Sequence, residues 1–306
     1  MEATTRQIFL QIFKSIKKTW FLGTLFFMSC FNTYENENRD FQADIDSFVS
    51  ILNDTILGKR DFVIEKTSQL IKKNSSCGEC YLFRAFAKED LSLENEAIQD
   101  YSYIINNKDS LSFEYTSLSV DTILSIAHKN RSTLYFKNEE YIKSIYDSET
   151  HLKFKGDNIH DLNNIGALQM KLGRPSIALA YLKLAYKIDS LHFNVLLNIS
   201  QVYLNIDSLV LAKKYINSAL KQKYDYEAFY TRALINSEQR NIDEAEEDFQ
   251  RCFKLNNTDP EIYKAYALLK LSLKDTSAFC KNIKTALELN GRFDEKQISE
   301  ICYKYP

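Results

Sequence analysis

Glycine and proline are scarce in this chain, with seven and three among 306 residues. A fold of many short strands joined by tight turns would need more turn formers than that, so a strand-rich architecture is excluded. No two glycines stand closer than seven residues apart, which removes the GxGxxG and Walker loops that cradle phosphates. GxSxG and HExxH are missing too. The four histidines, at 128, 151, 160 and 192, include no i, i+4 pair, and one CxxC without a second cysteine pair makes a poor zinc site. Nor does either sign of charge dominate. With 39 basic and 41 acidic residues the net charge is −2, too small to draw the whole molecule to nucleic acid or an anionic bilayer. No enzyme activity, cofactor, metal or small-molecule substrate is expected.

What remains is helix. Leu, Ala, Lys, Glu and Ile recur at helical spacing, hydrophobic residues make up 45% of the chain, and 19 Tyr and 20 Phe supply bulk for a core. The length exceeds a typical single domain, so the chain must divide into several cores or extend one by repetition.

The N-terminus runs from Lys14, Lys17 and Lys18 into an apolar stretch that ends at Ser29 and Cys30, an order of basic, apolar and small residues like that of a secretory signal. The apolar stretch from Thr19 to Phe31 has 13 residues, against about 20 needed for a helix to span a bilayer. Leu25 to Cys30 resembles the lipobox of bacterial lipoproteins, in which cleavage leaves an acylated N-terminal cysteine; Ser29 and Cys30 fit it, and Phe27 and Met28 depart from it. That resemblance implies a signal peptide over 1–29, lipidation at Cys30 and a place in the cell envelope as an outer-membrane lipoprotein. The alternative is a single uncleaved N-terminal membrane anchor. Residues 30–42, rich in Asn and Glu, read as a flexible tether.

Repetition dominates the rest. Units starting at Ser125, Ile159, Phe193, Tyr226 and Pro260 are 34, 34, 33 and 34 residues apart. Their eighth residues are all small: Ser132, Gly166, Ser200, Ala233 and Ala267. The twentieth are Ser144, Ala178, Ala212, Ala245 and Phe279, and the twenty-fourth are Ser148, Leu182, Ile216, Phe249 and Ile283. A further unit begins near Gly78, 47 residues before Ser125, so 13 residues are inserted; the region from Phe113 to Leu124 is expected to lengthen a helix or form an extra turn. Small residues let two antiparallel helices approach, and the large one fills the groove against the next pair. These columns resemble the tetratricopeptide repeat. The resemblance implies an all-α, tetratricopeptide-like helical-hairpin solenoid, a right-handed superhelix, with a degenerate repeat over 43–77, repeats over 78–292 and a capping helix over 293–306.

Six cysteines occur, at 30, 77, 80, 252, 280 and 302. Cys252 falls on a small buried column and reads as packing. Cys77 and Cys80 at a helix start read as a local disulfide or two ordinary thiols, with a redox dithiol as the rival. Cys280 and Cys302 are candidates for a bond that staples the capping helix.

In the family that the repeats resemble, positions 2, 5, 9 and 12 of successive first helices line a concave groove for a protein or peptide. Carried over, the candidates are Lys129, Thr133 and Phe136; His160, Asn163, Ala167 and Met170; Asn194, Leu197, Gln201 and Leu204; Glu227, Tyr230, Leu234 and Ser237. The expected function is a non-catalytic scaffold or adaptor, lipid-anchored in the bacterial envelope. Two alternatives are a membrane-tethered thiol redox protein using Cys77 and Cys80, and an accessory subunit that docks an envelope enzyme. A partner on a convex face or at one end remains open.

Overall fold

The computed structural model describes residues 42–48, 50, 51, 59–292, 298, 301 and 302. The expected signal peptide over 1–29, Cys30, most of the expected tether over 30–42 and most of residues 293–306 lie outside the described residues. Among those described, the named elements are all helices. They are α1 (Arg60–Lys73), α2 (Gly78–Asp90), α3 (Glu94–Asn106), α4 (Val120–Lys137), α5 (Tyr141–Lys155), α6 (Ile159–Lys171) and α7 (Pro175–Ile188). There follow α8 (Phe193–Asn205), α9 (Leu209–Gln222), α10 (Tyr226–Glu238), α11 (Ile242–Leu255), α12 (Pro260–Ser272) and α13 (Thr276–Glu288). The fold is all-α, a tetratricopeptide-like helical-hairpin solenoid, and it divides into two compact units, up to Gly156 and from Asp157.

Each hairpin closes in the same way. The second residue of the three-residue turn is left-handed: Ser92, Glu139, Gly173, Asp207, Arg240 and Lys274 have φ between 57° and 69°. The amide after it donates to the carbonyl five residues back, as from Glu140 to Tyr135 and from Asp275 to Lys270. This closure satisfies carbonyls that a helix end leaves orphaned. Glycine fits it without strain, yet five of the six turns use another residue, at about 1 kcal/mol each.

The small columns sit at the helix contacts. Ala85, Ala97, Ala178, Ala212, Ala233, Ala245 and Ala267 are fully buried. A Cβ at Gly166 would stand 2.6 Å from Leu182 Cγ and 3.3 Å from the Ala178 carbonyl oxygen, so this approach admits no side chain. In the hairpin of α4 and α5 serine takes the small and large places alike. Ser144 Oγ donates to the Ser132 carbonyl at 2.8 Å, and the hydroxyls of Ser132 and Ser148 meet at 2.6 Å.

In the first unit, Ile45 and Phe48 of the helical stretch over 42–48 pack with Val63, Leu70 and Phe83. The insertion resolves in two parts. Helix α4 begins at Val120, capped by Ser119 and five residues ahead of Ser125, and the chain before it is drawn onto the start of α2. Gly78 N donates to Ser112 O at 2.9 Å, and the Phe113 ring occupies the space of a Gly78 side chain. Glu79, fully buried, accepts from the Tyr115 and Thr116 amides at 2.9 and 3.2 Å. Burial raises its carboxyl above the ordinary value in spite of those bonds.

In the second unit, Phe279 at the twentieth position packs with Ala267, Cys280 and Ile283, and with Ile298 and Cys302 beyond α13. Residues 298, 301 and 302 are helical. The Cys280 and Cys302 sulfurs are bonded, which ties this last segment to α13.

Three hairpins carry a charge pair in register, each around a buried aspartate. Arg84 meets Asp100 across α2 and α3, Arg131 meets Asp147 across α4 and α5, and Arg232 meets Asp248 across α10 and α11. Each arginine reaches back to the preceding hairpin with its remaining nitrogen: to Ser68 at 3.1 Å, Ser102 at 2.8 Å and Asn217 at 3.1 Å. The planar five-donor fork of arginine suits this three-helix junction. The same places hold Ile165 with Tyr181 and Ile199 with Tyr215 in the intervening hairpins, residues without charge.

Candidate functional site

The expected groove residues divide between the two units. Lys129 and Phe136 lie on α4 in the first, both exposed, with the Phe136 ring 6.2 Å from that of Tyr141. The others lie on α6, α8 and α10 in the second, and their settings differ. His160 is exposed, with its ring 5.7 Å from that of His192, and Asn194 is exposed as well. Asn163 is buried and accepts from Asn198 Nδ2 at 2.8 Å, so its amide oxygen joins α6 to α8. Leu197 is 4% exposed and belongs to the core. Gln201 donates to Thr231 Oγ1 at 3.4 Å, another bridge between first helices. Met170 is half-buried.

The geometry converges at the far end of the second unit. A cleft of about 300 Å³ lies between α10 and α12. Tyr230, Leu234 and Ser237 come from α10, three expected groove positions, and α12 supplies Glu261, Lys264, Ala265 and Leu268. Those α12 residues include positions 2, 5 and 9 of the unit at Pro260, so the same spacing carried one unit further names them. Glu238 and Arg240 complete the rim; Arg240 is the left-handed turn residue, presented there by the hairpin closure.

Each wall is fixed from its own sequence. Asp225 and Asp259 cap α10 and α12 by accepting from the Glu227 and Glu261 amides, both at 3.0 Å. The Tyr230 ring is held edge-on to Phe249 at 6.5 Å, and Phe249 meets Tyr266 at 5.3 Å. Burial pushes the Tyr230 phenol up to about 12, with the Glu261 and Asp259 carboxylates adding to the effect, so it stays neutral at any ordinary pH. Glu227, an expected groove residue in the first turn of α10, is exposed and does not line the cleft; its carboxyl is raised by partial burial and then by Asp225. Leu268 is 54% exposed, a large apolar side chain left open to solvent.

Chemically the cleft is an apolar floor of Tyr230, Leu234, Ala265 and Leu268 within a rim of both charges. It holds no nucleophile with an adjacent base. Among the described residues no three His, Cys, Asp or Glu side chains converge as a metal site, and no helix is long and apolar enough to cross a membrane.

The cysteines are elsewhere. The Cys77 and Cys80 sulfurs are bonded, and both residues are fully buried beneath the segment at Ser112. A thiolate attacking that bond needs a path to sulfur, which this packing closes. Cys252 is a free thiol, buried, with its pKa pushed up to about 12 by burial and then by Asp248. Sequence reasoning also missed the Arg and Asp pairs, which the spacing of 16 residues in three units would have revealed.

Residues 226–259, the hairpin of α10 and α11, match the tetratricopeptide repeat family. Solved structures of such proteins share the fold. A tetratricopeptide repeat protein from Parabacteroides merdae is 15% identical, with 85% of this chain and 98% of that one covered at a TM-score of 0.62. The Cut9–Hcn1 assembly of the APC/C is 14% identical, with 81% of this chain covered at a TM-score of 0.59; this chain spans 46% of that one's length. YrrB, described as having an unusual peptide-binding site, is 18% identical over 69% of this chain and 98% of its own, at a TM-score of 0.50. No curated protein matches the sequence.

Proposed function

We propose that this protein is a non-catalytic interaction scaffold that receives an extended or helical segment of a protein partner across the cleft between α10 and α12. The observation that carries the reading is the cleft itself. Its exposed Leu268 and half-buried Tyr230 and Leu234 offer a seat for an apolar anchor, and Glu261, Lys264 and Arg240 give the rim groups that fix direction. The peptide-binding site described for YrrB, a protein of like fold, is consistent with it. An accessory subunit that docks an enzyme would use the same surface, and co-purification of an enzyme separates that case.

The sequence supports a further part of the proposal: residues 1–29 are removed as a signal, Cys30 is acylated, and the repeats stand in the bacterial envelope, at the outer membrane. Bonded cysteines at two places accord with an oxidising compartment. The intact mass of protein from native membranes tests it, because Trp20 is the single tryptophan and lies within the segment to be removed. A chain that retains Met1 to Ser29 would point to an uncleaved anchor instead.

The cleft is tested by selecting displayed peptides on the full chain and titrating a selected peptide against Leu234→Glu and Leu268→Glu. Loss of binding of at least about tenfold in both, as expected for a buried anchor worth more than 1 kcal/mol, supports the reading. Undiminished binding to both overturns it.

A further inference from the structure

The net charge of −2 conceals a segregation. Residues 171–223 carry eight Lys and Arg against two acids, Asp189 and Asp207, a local charge of +6. Helices α7 and α9, the second helices of two successive hairpins in the second unit, contain no acidic residue at all. Helix α7 is also apolar on two sides, and α9 adds one outward valine. On α7 the inward side is Ala178, Leu182 and Ala185, all fully buried, which leaves Ile177, Leu184 and Ile188 exposed at a spacing of seven and four along one outward stripe. On α9 the inward side is Ala212, Ile216 and Ala219, and Val210 stands outward at 79% exposure, the highest of any large apolar side chain described.

Lysines stand beside the α7 stripe and around Val210. Helical geometry puts Lys183 and Lys187 along one side of the α7 stripe, and Lys214 and Lys221 within a few tens of degrees of Val210 on α9. Among the described residues Lys183, Lys187 and Lys221 have no ion-pair partner, and Lys214 lies over the Tyr215 ring at 5.8 Å. The interleaving decides what fits. The centre of a protein interface is depleted of lysine, because each ammonium must be desolvated. A lipid headgroup layer takes aliphatic side chains into its acyl boundary while the lysines reach up to phosphate.

We infer that the outward surface of α7 and α9 adsorbs to an anionic lipid bilayer, with Ile177, Leu184, Ile188 and Val210 entering the interface and Lys183, Lys187, Lys214 and Lys221 pairing with headgroups. The surface is separate from the α10 and α12 cleft, and the inference does not depend on acylation of Cys30.

The test reads the surface directly. Full-length protein in a Cys30→Ser background carries Val210→Cys labelled with an environment-sensitive fluorophore; Ile188→Cys is the second position if that variant folds poorly, and Leu268→Cys in the cleft is the reference. Vesicles of phosphatidylcholine with and without phosphatidylglycerol are added. The expected result is a blue shift at 210 with anionic vesicles alone, no change at 268, and reversal by high salt. Each of the four lysines changed to Gln weakens the response about fivefold, and all four together weaken it on the order of several hundredfold. A probe at 210 that stays wet on anionic vesicles to which the chain is bound overturns the inference. So does an equal shift on neutral vesicles, or a shift without lipid that grows with protein concentration, which would assign the surface to a second copy of the chain.

Discussion

The guanidinium of Arg232 grips the carboxylate of Asp248 at two points, 2.7 and 2.8 Å, and its third nitrogen holds Asn217 of the hairpin before. Asp248 is 1% exposed and also takes Arg251 at 2.7 Å. The charge is therefore buried but surrounded, and its removal from one side alone is the damaging change.

Arg232→Ala is expected to destabilise the second unit by about 1.5 to 3 kcal/mol, because Asp248 loses its two-point partner in the core and keeps only Arg251 as a cation beside it. Arg232→Met with Asp248→Leu removes both charges and is expected to recover most of the loss. Denaturant titration followed by helical circular dichroism measures both, and a single variant within about 1 kcal/mol of the parent contradicts the account.

Acid titration reads the equivalent pair in the first unit. Burial alone would raise the Asp147 carboxyl, but the hydrogen bonds and charges of Arg131 and His128 outweigh it and hold the group below its usual range. A lowered folded-state value means stability that is present above about pH 4 and lost as pH falls through the folded value. Asp147→Asn is expected to flatten that acid limb. An unchanged limb would assign acid sensitivity to other carboxylates.

Glu89 has the opposite sign. Burial raises it to about 7, although Tyr101 donates to it and lowers it in part. A raised carboxylate favours the fold below the unfolded value near 4.3 and loses that contribution as pH rises through 7. Glu89→Gln is therefore expected to stabilise the first unit at pH 8, by up to about 3 kcal/mol, and to change little at pH 4. Melting curves at the two values check it; a variant equally affected at both has a packing effect instead.

The hairpin turns offer a gain of stability. Glu139 is left-handed at φ 61° and exposed, in the place where Gly173 closes the next hairpin along the chain. Glu139→Gly is expected to raise stability by about 0.5 to 1 kcal/mol, the strain relieved less the entropy that glycine adds to the unfolded chain. By contrast Gly166→Ala drives a methyl into Leu182 and is expected to cost about 1 to 3 kcal/mol. Thermal denaturation of the two variants gives shifts of opposite sign if the backbone argument holds.

The architecture was legible because close packing of helices forces small residues to recur. Helices α2, α6, α8, α10 and α12 start at Gly78, Ile159, Phe193, Tyr226 and Pro260, the residues that the small and large columns mark as unit starts. Helix α4 starts before Ser125 because the insertion supplies five extra helical residues and a capping serine. The turns escaped notice since Ser92, Glu139, Asp207, Arg240 and Lys274 carry no glycine signal, and their strain is borne by the helices on either side. Groove positions were less legible than core ones. Spacing along a first helix says which side a residue occupies but not whether the next helix already uses it, as Asn198 uses Asn163 and Thr231 uses Gln201. The α12 wall follows the same spacing, with Glu261, Lys264 and Leu268 at positions 2, 5 and 9 of the unit at Pro260.

The most direct test of the scaffold reading is photo-crosslinking in cells from a benzoylphenylalanine placed at Leu268, on the floor of the cleft. The account predicts a discrete adduct with a partner protein that disappears when Leu234→Glu is added on the facing helix. An adduct that persists with Leu234→Glu, or none from Leu268 while the same probe at Phe136 yields one, would contradict binding at this cleft.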